Sequence, residues 1–171
     1  LTLCRRAAGK TDSATIETLV QMTSWHYQAH CADHTRPYPK VLKMLDLLRA
    51  RQTPMGLLSN KPHPSTLRLV KLLGIDGYFA DVRGCADERD RKPSPKNALE
   101  IAATLDVEPS RVYLVGDSPM DVETARNAGM IAVAVTWGYR ARPQLEASHP
   151  DFVVDDPGKI PDLVKKPSKR R

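Results

Sequence analysis

Cysteine and aromatic residues are scarce in this sequence, and long apolar runs are absent. Among 171 residues there are 3 cysteines, Cys4, Cys31 and Cys85. They are odd in number, far apart and form no Cys-x-x-Cys pair. That argues against a disulfide framework or a cysteine-built zinc site, and reduced thiols in a cytoplasmic setting are expected. Aromatic residues make up 5%. Trp25, Tyr27, Trp137 and Tyr139 have no interleaved basic residues, so packing in a core or at a rim is expected over stacking on bases. No apolar run approaches the roughly 18–20 residues that a membrane helix needs. No apolar segment follows a basic start in the manner of an export signal. Leu1 stands where a starting Met is usual, and a processed or truncated chain is the expectation.

The hydrophobic fraction of 41% and the charged fraction of 27% belong to a globular domain with its own core. The formal charge is +6, and its excess is local. Lys165, Lys166, Lys169, Arg170 and Arg171 crowd the last seven positions, and without them 21 of the 26 basic residues face 20 acidic ones. Residues 165–171 therefore read as a solvated basic tail and not as a folded basic face for nucleic acid.

From Pro39 onward the pattern alternates helix and strand. Val41-Leu42, Met44-Leu45 and Leu47-Leu48 recur at helical spacing. Met55–Asn60 reads as a short buried strand, and Pro62 and Pro64 suit the start of a helix stopped by Gly74. Pro95 opens another helix. Val112–Val115 is a strand ending at Gly116-Asp117, Pro119 starts the next helix, and that helix stops at Gly129. Ile131–Val135 and Phe152–Val154 complete the strands. Apolar strands separated by single helices imply an α/β three-layer sandwich, doubly wound around a parallel sheet. Residues 1–38 differ: Thr15 to Ala32 reads as one helix, and the X-Pro steps of Thr35-Arg-Pro-Tyr-Pro39 mark a boundary before a second domain at 39–164.

Ligands of an open parallel sheet bind beyond the carboxyl ends of its strands. Ser59-Asn60-Lys61 follows the first strand, and Gly116-Asp-Ser-Pro-Met-Asp121 follows the second. Arg91-Lys-Pro-Ser-Pro95 lies between them, just before a helix. Taken singly, these pieces are a turn, a loop lysine and a capped helix start. Together they place a hydroxyl, an amide, a lysine and two carboxylates at one sheet edge, a set suited to a phosphoryl group beside a hard cation. His26, His30 and His34 recur at i, i+4 and i+8 beside Cys31. With no carboxylate placed as a fourth ligand, a partly exposed polar helix face is expected there over a metal site.

Leu58-Ser-Asn-Lys-Pro62, Lys92-Pro-Ser-Pro95 and Gly116–Gly129 resemble the second, third and fourth motifs of the haloacid dehalogenase superfamily of hydrolases. Thr35–Pro39 and Thr136-Trp-Gly-Tyr139 are most similar to its phosphoglycolate phosphatase branch. The resemblance implies a Rossmann-like core at 39–164 and a partial helical cap at 1–38. It implies that Ser59 and Asn60 bind the transferring phosphoryl group, and that Lys92 stabilises its charge and orients the nucleophile. Asp117 would bind Mg²⁺, with Asp121 as a second ligand or as a partner behind the first. Lys92 and Asp117 are thus the implied catalytic residues. The implied reaction is Mg²⁺-dependent hydrolysis of a small phosphorylated metabolite, 2-phosphoglycolate above all, through an aspartyl-phosphate.

One motif departs from the pattern. The family's first motif ends a strand with Asp-x-Asp-Gly-Thr, whose first Asp is the nucleophile and whose second is the general acid–base. This sequence contains no Asp-x-Asp. Asp12-Ser-Ala-Thr15 has no apolar strand before it, and Asp87 and Asp90 sit in a charged loop, also without a strand. The expectation is that the first-motif strand, central in the family's sheet, is missing from this chain and not mutated, and that the chain alone is inactive. The alternatives are another sugar- or nucleotide-phosphate phosphatase, a phosphoglucomutase-like relative, or a non-catalytic module binding phosphate and Mg²⁺. Tail-driven binding of nucleic acid ranks last.

Overall fold

The computed structural model describes residues 12–164 together with Cys4 and Gly9. The basic tail expected at 165–171 lies outside the described residues. The chain divides into two compact units, Leu1–Arg36 and Pro37–Arg171. Among the described residues, no helix is long and apolar enough to cross a membrane.

The first unit contains helix α1 (Ser13–His30). Asp12 caps its start, accepting from Thr15 N at 2.9 Å and from Thr15 Oγ1 at 2.6 Å. Ile16, Cys31 and Cys4 are buried. The His26 and His30 rings lie 4.5 Å apart, and His30 Nδ1 pairs with Asp33 Oδ2 at 2.8 Å. Among the described residues, no three His, Cys, Asp or Glu side chains gather into a metal cage.

The second unit runs α2 (Val41–Ala50), β1 (Gly56–Pro62), α3 (His63–Leu72), β2 (Asp81–Cys85), α4 (Lys96–Thr104), β3 (Tyr113–Gly116), α5 (Pro119–Asn127), β4 (Ile131–Val135), α6 (Arg142–Glu146), β5 (Phe152–Val154) and α7 (Ile160–Leu163). All described strand pairs are parallel: β1 with β2 in one sheet, and β3-β4-β5 in another. Register sets Leu57 beside Val82, Val115 beside Val133, and Ala134 beside Val153.

The reason for the layering is clearest in β4. Ala132 and Ala134 turn to a cluster with Ala98 and Ala102 of α4, Val122 and Ala125 of α5, and Leu145 of α6. Val133 and Val135 turn to the opposite cluster, with Leu48 of α2, Val154 of β5 and Ile160 of α7. A strand buried on both faces needs apolar residues at every position, and Ile-Ala-Val-Ala-Val supplies them. The alanines let α5 approach closely.

Two details differ from expectation. β2 has no counterpart among the strands expected from sequence, and it ends just before the charged loop of Asp87 and Asp90. Its Asp-Val-Arg-Gly-Cys text hides the strand because Arg83 is consumed in place, by Asp81 at 2.8 Å and by Glu100 of α4. β1 is half-buried instead of buried, since among the described residues its ladder runs along one edge only, to β2.

Candidate functional site

The ends of β1 and β3, the loop before α4 and the start of α5 meet through side-chain hydrogen bonds. Asn60, near the end of β1, binds the backbone of Lys92 twice. Its Oδ1 accepts from Lys92 N at 2.8 Å, and its Nδ2 donates to Lys92 O at 3.2 Å. The same Nδ2 lies 3.1 Å from Met120 Sδ. Both donors of the amide are therefore engaged within the protein, while its oxygen accepts once. Asn127, at the end of α5, donates to Pro93 O at 3.0 Å, so two amides hold the Lys92-Pro93 segment, whose peptide bond is cis.

Held in this way, Lys92 extends its Nζ to Asp121 Oδ1 at 2.6 Å. The pair is largely buried, with 16% of the Lys92 side chain and 8% of the Asp121 side chain exposed. The other oxygen of Asp121 accepts from Ser118 N at 3.1 Å and Ser118 Oγ at 2.6 Å. Asp121 thus closes the first turn of α5 while neutralising Lys92. A Cβ on Gly116 would stand 2.3 Å from the Asp121 side chain, so only glycine lets β3 end this close to α5.

Asp117 occupies the step between β3 and α5. Its Oδ2 accepts from Tyr139 N at 2.9 Å. Here too a glycine makes the approach possible, since a Cβ at Gly138 would stand 2.2 Å from the Asp117 carboxylate. Tyr38 completes the surroundings. Its phenol is pushed above the ordinary value, first by burial and then by the nearby Tyr139 and Asp117. Ser59 Oγ accepts from Lys61 N at 3.1 Å, which fixes the hydroxyl at the strand end. Beside α5 lies a cavity of about 530 Å³, lined by Ser118, Pro119, Met120, Arg140 and Gln144.

Of the residues singled out by sequence, Asn60, Lys92 and Asp121 fall into one hydrogen-bonded network with Ser118, and Asp117 is the adjacent residue. Asn60 faces Lys92's backbone, and Asp121 faces Lys92 and Ser118. The sequence did not disclose Asn127, Gly138 or Tyr38 as supports. Gly138 had a legible signal, lying in the Thr-Trp-Gly-Tyr segment, but its reason is a close approach visible only in three dimensions.

The donor set can be tested against Mg²⁺. Mg²⁺ takes one or two carboxylates and keeps several waters, so a cage of three protein ligands is not required. Asp117 fits, because no described residue engages its Oδ1. Asp121 has both oxygens engaged and fits as the partner behind Lys92.

The sequence pattern of the haloacid dehalogenase-like hydrolases matches residues 3–135. The chain is 37% identical over 139 residues to a phosphoglycolate phosphatase of Chromobacterium violaceum, covering 81% of this chain and 61% of that protein. It is 32% identical over 138 residues to the phosphoglycolate phosphatase of Escherichia coli K12, covering 81% of this chain and 55% of the relative. The chain thus spans less than two thirds of the length of these relatives. Among solved structures, a predicted phosphoglycolate phosphatase from Haemophilus somnus superposes with a TM-score of 0.85 at 25% identity, over 95% of this chain and 72% of that one. A haloacid dehalogenase-like family protein from Streptococcus pneumoniae shares the fold, with a TM-score of 0.81 at 20% identity over 95% of this chain and 76% of that one. Motifs, parallel sheets, the Lys92–Asp121 network and these likenesses converge: this chain belongs to the haloacid dehalogenase-like hydrolase family.

Proposed function

We propose that this chain supplies the phosphate- and metal-binding residues of a Mg²⁺-dependent phosphomonoester hydrolase acting on 2-phosphoglycolate. The observation that carries the proposal is the buried Lys92–Asp121 pair, 2.6 Å apart, beside Asp117 at the carboxyl ends of β1 and β3. Lys92 holds phosphoryl oxygens with the N–H bonds that Asp121 leaves over. The Ser59 hydroxyl binds the same group. Asn60 contributes through Lys92, whose backbone it fixes. Asp117 offers Oδ1 to the metal. Mg²⁺, when bound, neutralises phosphate charge and orients the group for in-line attack. The names of the relatives support phosphoglycolate as substrate. Residues 1–38 act as a partial helical cap on the family resemblance. The odd number and wide spacing of Cys4, Cys31 and Cys85 support a reducing, cytoplasmic setting.

We infer also that these 171 residues alone do not turn the substrate over, because they contain no Asp-x-Asp to serve as nucleophile and acid–base. A second reading follows from the same fact: a module that binds phosphate and Mg²⁺ without chemistry. The purified chain is incubated with Mg²⁺ and a panel of phosphoesters, with Lys92→Ala as control. Saturable, Mg²⁺-dependent binding of 2-phosphoglycolate without phosphate release is expected. Release above the control overturns the inactivity, and failure to bind any member of the panel overturns the proposed site.

A further inference from the structure

We propose that Arg140, assisted by Gln144, forms an anion subsite for the non-reacting negative group of a doubly anionic phosphomonoester, which rests on the phosphate site proposed at Lys92 and Asp117. Three observations carry it. The cavity lined by Ser118, Pro119, Met120, Arg140 and Gln144 shares a wall with the phosphate side, because Met120 Sδ sits 3.1 Å from Asn60 Nδ2. Arg140 is tethered near Asp117, because Tyr139, the preceding residue, donates its N–H to Asp117 Oδ2 at 2.9 Å. Arg140 is also uncommitted. Lys92 is held by Asp121, Arg142 by Glu146 at 2.8 Å, and Arg126 by the Ser148 carbonyl at 2.8 Å. No described residue pairs with Arg140, which is the sole cation of that lining.

A guanidinium presents a planar fork that matches a carboxylate or a second phosphate, and the Gln144 amide adds a neutral donor beside it. Pro119 and Met120 add an apolar stretch to that lining, suited to a short carbon link. A phosphoester with a neutral tail gains nothing from Arg140. The subsite therefore selects substrates by their second charge, a selectivity that Lys92 and Asp117 cannot supply because every phosphomonoester offers them the same group.

The test titrates the full chain, in Mg²⁺, with inorganic phosphate, ethyl phosphate and 2-phosphoglycolate. Wild type is expected to bind 2-phosphoglycolate about tenfold more tightly than ethyl phosphate, the scale of one hydrogen-bonded charge pair. Arg140→Gln is expected to erase that preference while inorganic phosphate keeps its affinity, which also reports that the variant is folded. Gln144→Glu is expected to weaken 2-phosphoglycolate and spare ethyl phosphate. Preference surviving in Arg140→Gln overturns the subsite, as does equal binding of the two esters by wild type. Failure of wild type to bind phosphate overturns the underlying site, and the subsite with it.

Discussion

Asp121 holds two partners at once, and its variants separate them. One of its oxygens accepts from Lys92 and the other accepts twice from Ser118, so both are engaged. Lys92→Ala leaves this carboxylate buried without its cation. The expected loss of stability is about 3 kcal/mol, the low end for a broken buried pair, because Ser118 still donates twice. Urea denaturation of the variant measures it, and a loss near zero would mean the pair is solvated in solution. Gly138→Ala places a methyl group against Asp117 and is expected to weaken Mg²⁺ binding about tenfold or more, with little change in inorganic phosphate affinity measured without metal. Equal Mg²⁺ affinity in the variant would remove Asp117 as the ligand. Asn60→Ala is the complementary case. It frees the Lys92 backbone and is expected to weaken phosphate about tenfold, although Asn60 has no donor left to touch phosphate itself.

At the scale of elements, β4 and α5 carry the core. Leu145 of α6 is fully buried in the cluster that joins α4, α5 and β4. Leu145→Ala is expected to cost about 2–5 kcal/mol, read from a thermal or urea melt, and a cost under 1 kcal/mol would mean that the cluster is loosely packed. β4 was legible in sequence because both of its faces are buried, so its text is uninterrupted by charge. α3 and α5 were legible from their prolines and from Gly74 and Gly129, which take φ of +65° and +66°. β2 was not legible. Arg83 in mid-strand reads as a loop until Asp81 and Glu100 are placed on either side. Gly84 reads as a strand breaker until Thr66 and His63 are seen to leave no space for a Cβ. The candidate site divides similarly. Residue types and their places at strand ends were readable from spacing. The pairing of Asn60 with Lys92's backbone was not, because 32 residues separate them and only the fold closes that distance.

For the whole molecule, acid is the revealing condition. Asp156 is held below the usual carboxylate range, first by its hydrogen bond from Lys40 and then by Gly158 N–H. Asp155 is lowered by Lys159, and Asp87 by Arg89. Carboxyls lowered in the folded state bind protons more readily when unfolded, so their contribution is complete above the unfolded value of about 3.9 and is lost as pH falls through the folded values. Stability is therefore expected to hold from neutral pH to about pH 5 and then to decline into acid, less steeply in high salt because these groups are exposed. Denaturant midpoints from pH 7 to 2.5 at two ionic strengths check this. A decline that salt leaves unchanged would place its cause outside these exposed pairs. Across the molecule, β1 and β3 are joined by no ladder among the described residues, and the Asn60–Lys92–Asp121 network spans the two sheets in its place.

The central claim is that this network is a phosphate site organised around Lys92, and titration of the intact chain with inorganic phosphate, with and without Mg²⁺, tests it most directly. Wild type is expected to bind phosphate more tightly with Mg²⁺ than without. Lys92→Ala, checked as folded at the working temperature, is expected to lose tenfold or more in affinity. Equal affinity in wild type and Lys92→Ala, or no phosphate binding by wild type under either condition, would contradict the account.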